Sequence, residues 1–393
     1  VQEKIEFSDS DIEIWVQEDE GLVKFSEAET PDTYIAEKYA KSQLRVVRET
    51  KDFNLDYLSL TLKSDSVFIN VAPDYQRRQR WSKKKRSQLI ESFLLNIPIP
   101  PIFLYETDYS EYEVVDGRQR IETIREFFSN NFALSDLEYW SELNNKRFNE
   151  LPPVIQKGLA RRSLSAVILL AESRRPEDDD LDVRRALFER LNTGGEKLTP
   201  QELRNALYPG LFNKMLIDIA RSEQFASVWG IPLRSTNEDE EIPSELASNP
   251  LYKTMADCEL VLRYFALKEA IQMNKKFSLN TLLDKYMKNH ANDSSEKVAI
   301  LKDEYLNSLN DMISTFNGKP FRVSSTQRPN RSLYDALMVA RALYGPVNDN
   351  RDQIQKRLQS VIVDNYDLMV GSRKNVFEAI ADRIKLAKTI LYG

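Results

Sequence analysis

A change of hydrophobic period near residue 200 constrains this chain more than any other feature. Before it, short β-branched or aliphatic runs alternate with helical stripes, and after it strand patterns nearly vanish. Ser66 to Val71 is β-branched-rich and stops at Pro73, Ile102–Tyr105 and Tyr112–Val115 flank the loop Glu106 to Glu111, and Ser163 to Leu170 is an aliphatic run of the kind buried in a sheet. Phe53 to Lys63 is ambiguous between strand and helix. From Ser82, a helix cap, Leu89, Ile90, Phe93, Leu94 and Ile97 form one stripe that Pro98-Ile99-Pro100-Pro101 ends, and Ile121, Ile124, Phe127 and Phe128 form a second. Pro152-Pro153 opens a third helix, and the acidic Pro176 to Asp180 a fourth that stops at Asn192-Thr193-Gly194-Gly195. Thr199-Pro200-Gln201-Glu202 restarts helix with a hydroxyl cap, Pro at the first position and Glu at the third. Downstream, helical patterns cover 201–227, 250–273, 277–290, 297–315, 331–344, 351–364 and 374–391. The spacing predicts an α+β domain over 41–200 and an all-α helical domain over 201–393, preceded by an acidic arm over 1–40 that reads as a partly ordered tail. The acidic, Pro243-containing stretch Ser235 to Ser248 reads as a mobile loop.

The residue counts exclude much chemistry. The 393 residues include one cysteine, Cys258, and one histidine, His290. An internal disulfide and a Cys/His zinc site need partners that these counts do not supply, and a Ser-His-Asp triad or a Cys-His pair would rest entirely on His290. His290 suits a surface or helix C-terminal position, and Cys258 a small core position. The longest aliphatic stretch, Ala166 to Ala171, is far short of the roughly 18 apolar residues of a membrane span, and no basic region followed by an apolar one opens the sequence at Val1. The expectation is a cytoplasmic protein with no membrane partner.

Formal net charge is −6, so the chain is no general polycation, yet its charge is unevenly placed. Residues 1–40 hold twelve Asp/Glu against three Lys. Tyr75 to Ile90 carries Arg77, Arg78, Arg80, Lys83, Lys84, Lys85 and Arg86 with no acid. Tyr75 and Trp81 within a basic cluster can stack on bases while Arg78, Arg80, Lys83 and Lys84 hold phosphates, as DNA binding requires. The lysines alone equally suit a solvated helix face. The sharpest site is Asp116-Gly117-Arg118-Gln119-Arg120, a strand end, tight turn and helix start. Gly117 permits close backbone approach or positive φ, the helix start offers N–H groups, and Arg118 and Arg120 add fork-shaped donors, which together make a phosphate cradle. Asp116 can ligate Mg²⁺ or orient a water. Asp-Gly before a helix is also simply a turn, and Asn192-Thr193-Gly194-Gly195 also simply a C-cap. Pro31-Asp32…Glu49-Thr50-Lys51 imitates the acid, acid, lysine spacing of metal-dependent endonucleases, in a short pattern that chance readily produces.

Four motifs in order carry a resemblance: Tyr75-Gln76-Arg77 with Trp81; Leu89-Ile90-Glu91-Ser92-Phe93 with Ile97-Pro98-Ile99-Pro100; Val114-Val115-Asp116-Gly117-Arg118-Gln119-Arg120-Ile121-Glu122-Thr123; and Phe188…Arg190-Leu191-Asn192-Thr193-Gly194-Gly195 with Leu198-Thr199 and Glu202-Leu203. Over about residues 55–210 the chain resembles the N-terminal domain of the GmrSD type IV restriction proteins, of the ParB/sulfiredoxin-like superfamily. The resemblance implies a ParB-like α+β fold. It also implies a nucleoside triphosphate with Mg²⁺ as cofactors, GTP first among the nucleotides and the base left open. Asp116, Gln119 and Arg120 would then be catalytic, and Gly117, Arg118, Gln76, Arg77, Asn192, Thr193 and Gly194 would bind nucleotide. The function implied is an NTP-binding and hydrolysing sensor of a DNA-restriction or phage-defence system, with modified or foreign DNA and a nuclease chain as partners. A non-enzymatic DNA- or protein-binding adaptor and a ParB-like metal-dependent nuclease are the alternatives. Two departures stand out. The family commonly has Asp-Gly-Gln-Gln-Arg where this chain has Arg118 in the middle, so that side chain either points outward or alters phosphate recognition. With His290 as the sole histidine, no HNH nuclease site can be built from these residues.

Overall fold

The computed structural model describes residues 5–20, 48–61, 69–70, 81–170, 190, 198–235, 242–274, 278–324, 327–370 and 377–393. In chain order these contain α1 (Asp9–Glu20), β1 (Arg48–Asn54), α2 (Leu55–Thr61), β2 (Ile69–Asn70), α3 (Lys83–Leu94), β3 (Ile102–Asp108), β4 (Glu111–Asp116), α4 (Arg118–Phe128), α5 (Pro153–Ala160) and β5 (Ser163–Leu169). Thereafter the longer elements are all helical: α6 (Pro200–Leu207), α7 (Leu211–Ala220), α8 (Glu223–Trp229), α9 (Ala256–Gln272), α10 (Leu279–His290), α11 (Ser295–Thr315), α12 (Arg331–Tyr344), α13 (Arg351–Asp364) and α14 (Phe377–Tyr392). The chain is thus α+β followed by helix. It divides into two compact units, Ser26–Leu198 and Val1–Phe25 with Thr199–Gly393. Among the described residues no helix is long and apolar enough to cross a membrane.

The first unit is built on a mixed five-stranded sheet of order β1-β5-β3-β4-β2. β1 runs antiparallel to β5, β3 parallel to β5 and antiparallel to β4, and β2 parallel to β4. Leu164, Ala166 and Ile168 alternate into the core with Leu104, Val114 and Ile102, beneath Ile90 and Phe93 of α3 and Ile121, Ile124 and Phe127 of α4. The aliphatic run predicts a β5 buried on both faces; instead Ser165 and Val167 are half-covered, because its neighbour β1 is the polar segment Arg-Glu-Thr-Lys-Asp-Phe-Asn. Charges on such an edge strand discourage pairing with another chain. Glu49 and Lys51 of the nuclease-like pattern pair with each other on this strand at 3.3 Å, and Asp32 lies outside the described residues. So does most of Ser66 to Val71, of which Ile69–Asn70 is strand.

One buried carboxylate organises the loop after α4. Glu91, on the core side of α3, accepts from the backbone N–H groups of Tyr139 (2.8 Å), Trp140 (3.0 Å) and Glu138 (3.2 Å). Glu91→Gln leaves one amide oxygen to serve three donors and is expected to cost about 1–2 kcal/mol, read as a lowered urea midpoint.

In the second unit, α9 is buried on nearly every side, with Leu262, Phe265 and Leu267 packed among Phe212, Leu309 and Met338. A helix buried on nearly every side belongs at a core centre, and the buried Arg263 of α9 is paired there with Asp335. Thr199 forms the expected capping box with Glu202, and Cys258 is fully buried. His290 ends α10 as expected but is not at the surface. It stacks on Tyr286 at 4.1 Å between ring centroids, and its Nδ1 lies 2.5 Å from Asp293 Oδ2. Of the proposed mobile loop, 236–241 lies outside the described residues, and Ser244–Ser248 is a helical turn. Residues 5–20, which by sequence begin an acidic arm, form α1 of this helical unit. Phe7 and Ile12 enter its core, and the rest of the helix is held by ion pairs, which is why its apolar periodicity is weak.

Candidate functional site at the end of β4

β4 buries Tyr112, Val114 and Val115 and ends at Asp116, whose side chain is half-buried. The chain then turns through Gly117 at φ 96°, ψ 10° and enters α4 with no side-chain cap. Glycine is required here twice over. L-residues rarely hold that φ, and a Cβ would lie 2.3 Å from Ile102 Cγ2. The turn therefore rests directly on the first residue of β3, so the glycine serves packing within the protein.

Arg120, one turn into α4, bridges two elements. Its Nη2 donates to Asp116 Oδ2 at 2.7 Å and its Nη1 to the Pro100 carbonyl at 2.6 Å, joining the strand end to the proline-rich segment before β3. Gln119 reaches a third: its Oε1 accepts the backbone N–H of Trp81 at 3.1 Å. Trp81, the tryptophan of the first motif, is thereby held against the third motif, 38 positions on in the sequence. Arg118, the departure from the family pattern, does not point outward. Its Nε donates to Glu122 Oε1 at 2.6 Å along α4, with the arginine side chain only 14% exposed.

Ser82 caps α3 by accepting from Lys85 N, and that first turn contains Lys83, Lys84 and Lys85 with no acid. All three are exposed, as a solvated face would be. Cations at a helix start oppose its macrodipole, and among the described residues no carboxylate pairs with them. Lys85 Nζ sits 4.9 Å from the Trp81 ring centroid, so one face of this half-buried indole is already covered. Arg86 lies over Phe132 at 4.6 Å.

The structure thus gathers Trp81, Asp116, Gly117, Gln119 and Arg120, with Lys83 and Lys84 on the adjoining turn and Arg118 directed along α4. Tyr75, Gln76, Arg77, Arg78, Arg80, Asn192, Thr193 and Gly194 lie outside the described residues. Sequence reasoning missed Pro100 and Glu122 as partners of the arginines. The i, i+4 spacing of Arg118 and Glu122 could have revealed the second, whereas a carbonyl at Pro100 leaves no side-chain signal. Among the described residues no three of His, Cys, Asp and Glu come together as a metal-holding group. A divalent cation here would have, among the described residues, one protein carboxylate, Asp116. That suits Mg²⁺, which is commonly held by one or two carboxylates with ligand phosphates and water completing its shell.

No curated protein and no solved structure matches the chain. A family model, the GmrSD restriction endonuclease N-terminal domain, matches residues 58–209. This span runs from within α2 through β2, β3, β4 and β5 and the β4–α4 turn to just past α6, and it contains all four motifs. Residues 58–209 are therefore a GmrSD-type N-terminal domain, which marks the chain as a component of a restriction or phage-defence system.

Proposed function

We propose that the β4–α4 turn binds the phosphates of a nucleoside triphosphate and that the chain is the NTP-hydrolysing sensor of its restriction system, acting in the cytoplasm on modified or foreign DNA, with the nuclease on another chain. On this reading the sheet belongs to the ParB/sulfiredoxin-like superfamily. The observation that carries the proposal is the Trp81 N–H to Gln119 Oε1 bond, which ties one residue of the basic cluster to the Asp-Gly-Arg-Gln-Arg turn. A phosphate fits these residues. The helix start has no side-chain cap, its N-terminal end favours anions, and among the described residues Arg120 commits two of its five N–H donors.

Bound Mg²⁺ would neutralise phosphate charge as the bond to the leaving group breaks. Arg120 would bind the phosphate oxygens while keeping its hold on Pro100. Asp116, whose Oδ2 takes Arg120, would use its other oxygen to hold the metal or orient the attacking water. Gln119, through Trp81, would position the Gln76-Arg77 segment, and Arg118 would join only by exchanging Glu122 for phosphate.

Phosphate release from GTP, ATP and CTP with Mg²⁺, with and without modified and unmodified DNA, tests the reading. DNA-stimulated release is expected to fall at least about tenfold in Asp116→Ala, the scale of a lost positioning or electrostatic group, while Arg120→Ala weakens nucleotide binding. A second reading, the adaptor, is favoured by the fact that Arg118 and Arg120 are each already paired with a carboxylate. Salt-dependent DNA binding with no turnover of any nucleotide would establish it. Metal-dependent DNA cleavage by the purified chain would instead point to a ParB-like nuclease.

A further inference from the structure

The acidic helix α1 lies against a row of cations on the helical unit, and the pairing runs the length of the helix. Asp9 Oδ2 is 3.5 Å from Lys253 Nζ. Asp11 takes two guanidinium nitrogens of Arg328, at 2.6 and 2.5 Å. Glu18 accepts from Arg331 at 2.7 Å. Asp19 accepts from Arg331 and from Arg263, each at 2.9 Å. Rings complete the seat: Arg331 lies 5.0 Å from the Trp15 ring and Arg328 5.0 Å from the Phe7 ring, while both rings pack on Trp229.

The arrangement is asymmetric. Among the described residues every side-chain hydrogen-bond partner of Arg328 and Arg331 comes from α1: Asp11 for the first, and Trp15 O, Glu18 and Asp19 for the second. Arg263 shares itself between Asp19 and Asp335, and Arg383 stands close enough that Arg263 and Arg331 repel it while Asp335 attracts it. Among the described residues three buried arginines, Arg263, Arg331 and Arg383, are thus gathered near Asp335, and Glu18 and Asp19 of α1 add their negative charge to that of Asp335 and Glu259. Removing one side of a buried pair is strongly unfavourable, so α1 can leave only if another anion takes over its place. The positions it fills, two carboxylate clusters seven residues and hence about 10 Å apart along the axis, are served by guanidinium forks of the kind that bind phosphate bidentately.

We propose that the row Arg328, Arg331 and Arg263 is a phosphate-polyanion site whose built-in ligand is α1, so that a nucleic-acid backbone or a free polyphosphate binds there by exchanging with Asp11, Glu18 and Asp19. The site lies in the helical unit and is independent of the nucleotide reading given to the β4–α4 turn, so Asp116→Ala leaves it unaltered.

Hydrogen exchange of residues 9–20 in the full chain at low ionic strength is the test. A short mixed-sequence DNA duplex and inorganic tripolyphosphate are added separately, with sodium chloride at matched ionic strength as the control. The backbone amides of α1 are expected to exchange at least about tenfold faster under a polyanion and not under salt, with α9 unchanged. Release by duplex alone identifies a phosphodiester backbone, and release by tripolyphosphate alone a small polyphosphate. Asp11→Asn and Glu18→Gln, which weaken the internal ligand and leave the basin intact, should tighten binding of the releasing polyanion about threefold to tenfold. Glu13→Gln makes the same charge change on an exposed residue of α1 and should leave affinity unchanged. The proposal is overturned by any of three results: protection of 9–20 that persists with both polyanions, release by salt alone to the same extent, or an effect of Glu13→Gln equal to that of Asp11→Asn.

Discussion

Asp335→Ala is expected to destabilise the helical unit by about 3–5 kcal/mol, the cost of stranding a buried charge. Asp335 is 2% exposed and Arg263 is fully buried. The Arg263 Nε lies 3.1 Å from both Asp335 oxygens, and its Nη2 makes a shorter contact to Oδ2. This pair joins α9 to α12, the two helices at the centre of the core, and without Asp335 the buried Arg263 keeps, among the described residues, Asp19 of α1 as its ion-pair partner. The Asp335 and Asp19 carboxylates hold the Arg263 guanidinium above its ordinary value against the opposing effect of burial, and with Asp335 gone the intrinsic basicity of a guanidinium still keeps it charged, so no pH compatible with the fold relieves the stranded charge by deprotonation. Asp335→Asn retains an acceptor and should lose less. Arg263→Leu combined with Asp335→Leu should lose less than the sum of the two single changes, because neither residue is left facing an empty partner. Urea unfolding followed by circular dichroism measures all of these variants. A loss below about 1 kcal/mol for the alanine variant would mean that water reaches Arg263 when its partner is removed.

Gly117→Ala is the second large expectation, and it falls on the proposed site. A side chain at φ 96° carries the strain of the left-handed region, about 1–3 kcal/mol, and the Cβ would stand 2.3 Å from Ile102 Cγ2 and 3.1 Å from Arg120 Nη2. Forcing the turn away from β3 adds an overpacking cost of similar size, for a total of about 2–6 kcal/mol. Because the displaced atoms include the guanidinium that ties Asp116 to Pro100, nucleotide binding, if the turn provides it, should be lost even where the fold survives. Gly158→Ala provides the contrast. That glycine lies in α5, and a methyl group added there would meet nothing within 4 Å, so the change should be neutral or stabilise by up to about 1 kcal/mol. Equal effects of the two substitutions in a thermal melt would sink the account of the turn.

What could be read from sequence was local. Ser82 and Thr199 cap helices because a hydroxyl and the backbone amides it serves lie within three residues. The stripe from Leu89 to Phe93 and the strands before and after Glu106 to Glu111 announce themselves through periodicity. The helices after residue 250 follow their breaks at Asn, Ser and Pro within a few residues, since each is defined by one buried face and its ends. The Asp-Gly-Arg-Gln-Arg turn was legible for the same reason, as a strand, a glycine and a helix start in succession.

Tertiary structure decided everything that depends on a distant partner. β1 has no strand pattern of its own and is a strand because β5 pairs with it from Arg48↔Leu169 to Asn54↔Ser163. Arg118 has the chemistry of a phosphate donor, but Glu122 and its limited exposure turn it along α4, and Gln119 becomes the link to Trp81 only once α3 and α4 are placed side by side. The acidic beginning of the chain suggests a tail because its apolar content is low. Its docking comes from Arg263, Arg328 and Arg331, more than two hundred residues away. Composition and spacing by themselves determined the α+β and all-α halves, the helix caps and the chemical makeup of the turn, since these rest on short-range backbone and burial preferences. The pairing of charges was left to the fold, because an ion pair has no periodicity and is fixed only when packing brings its two partners together.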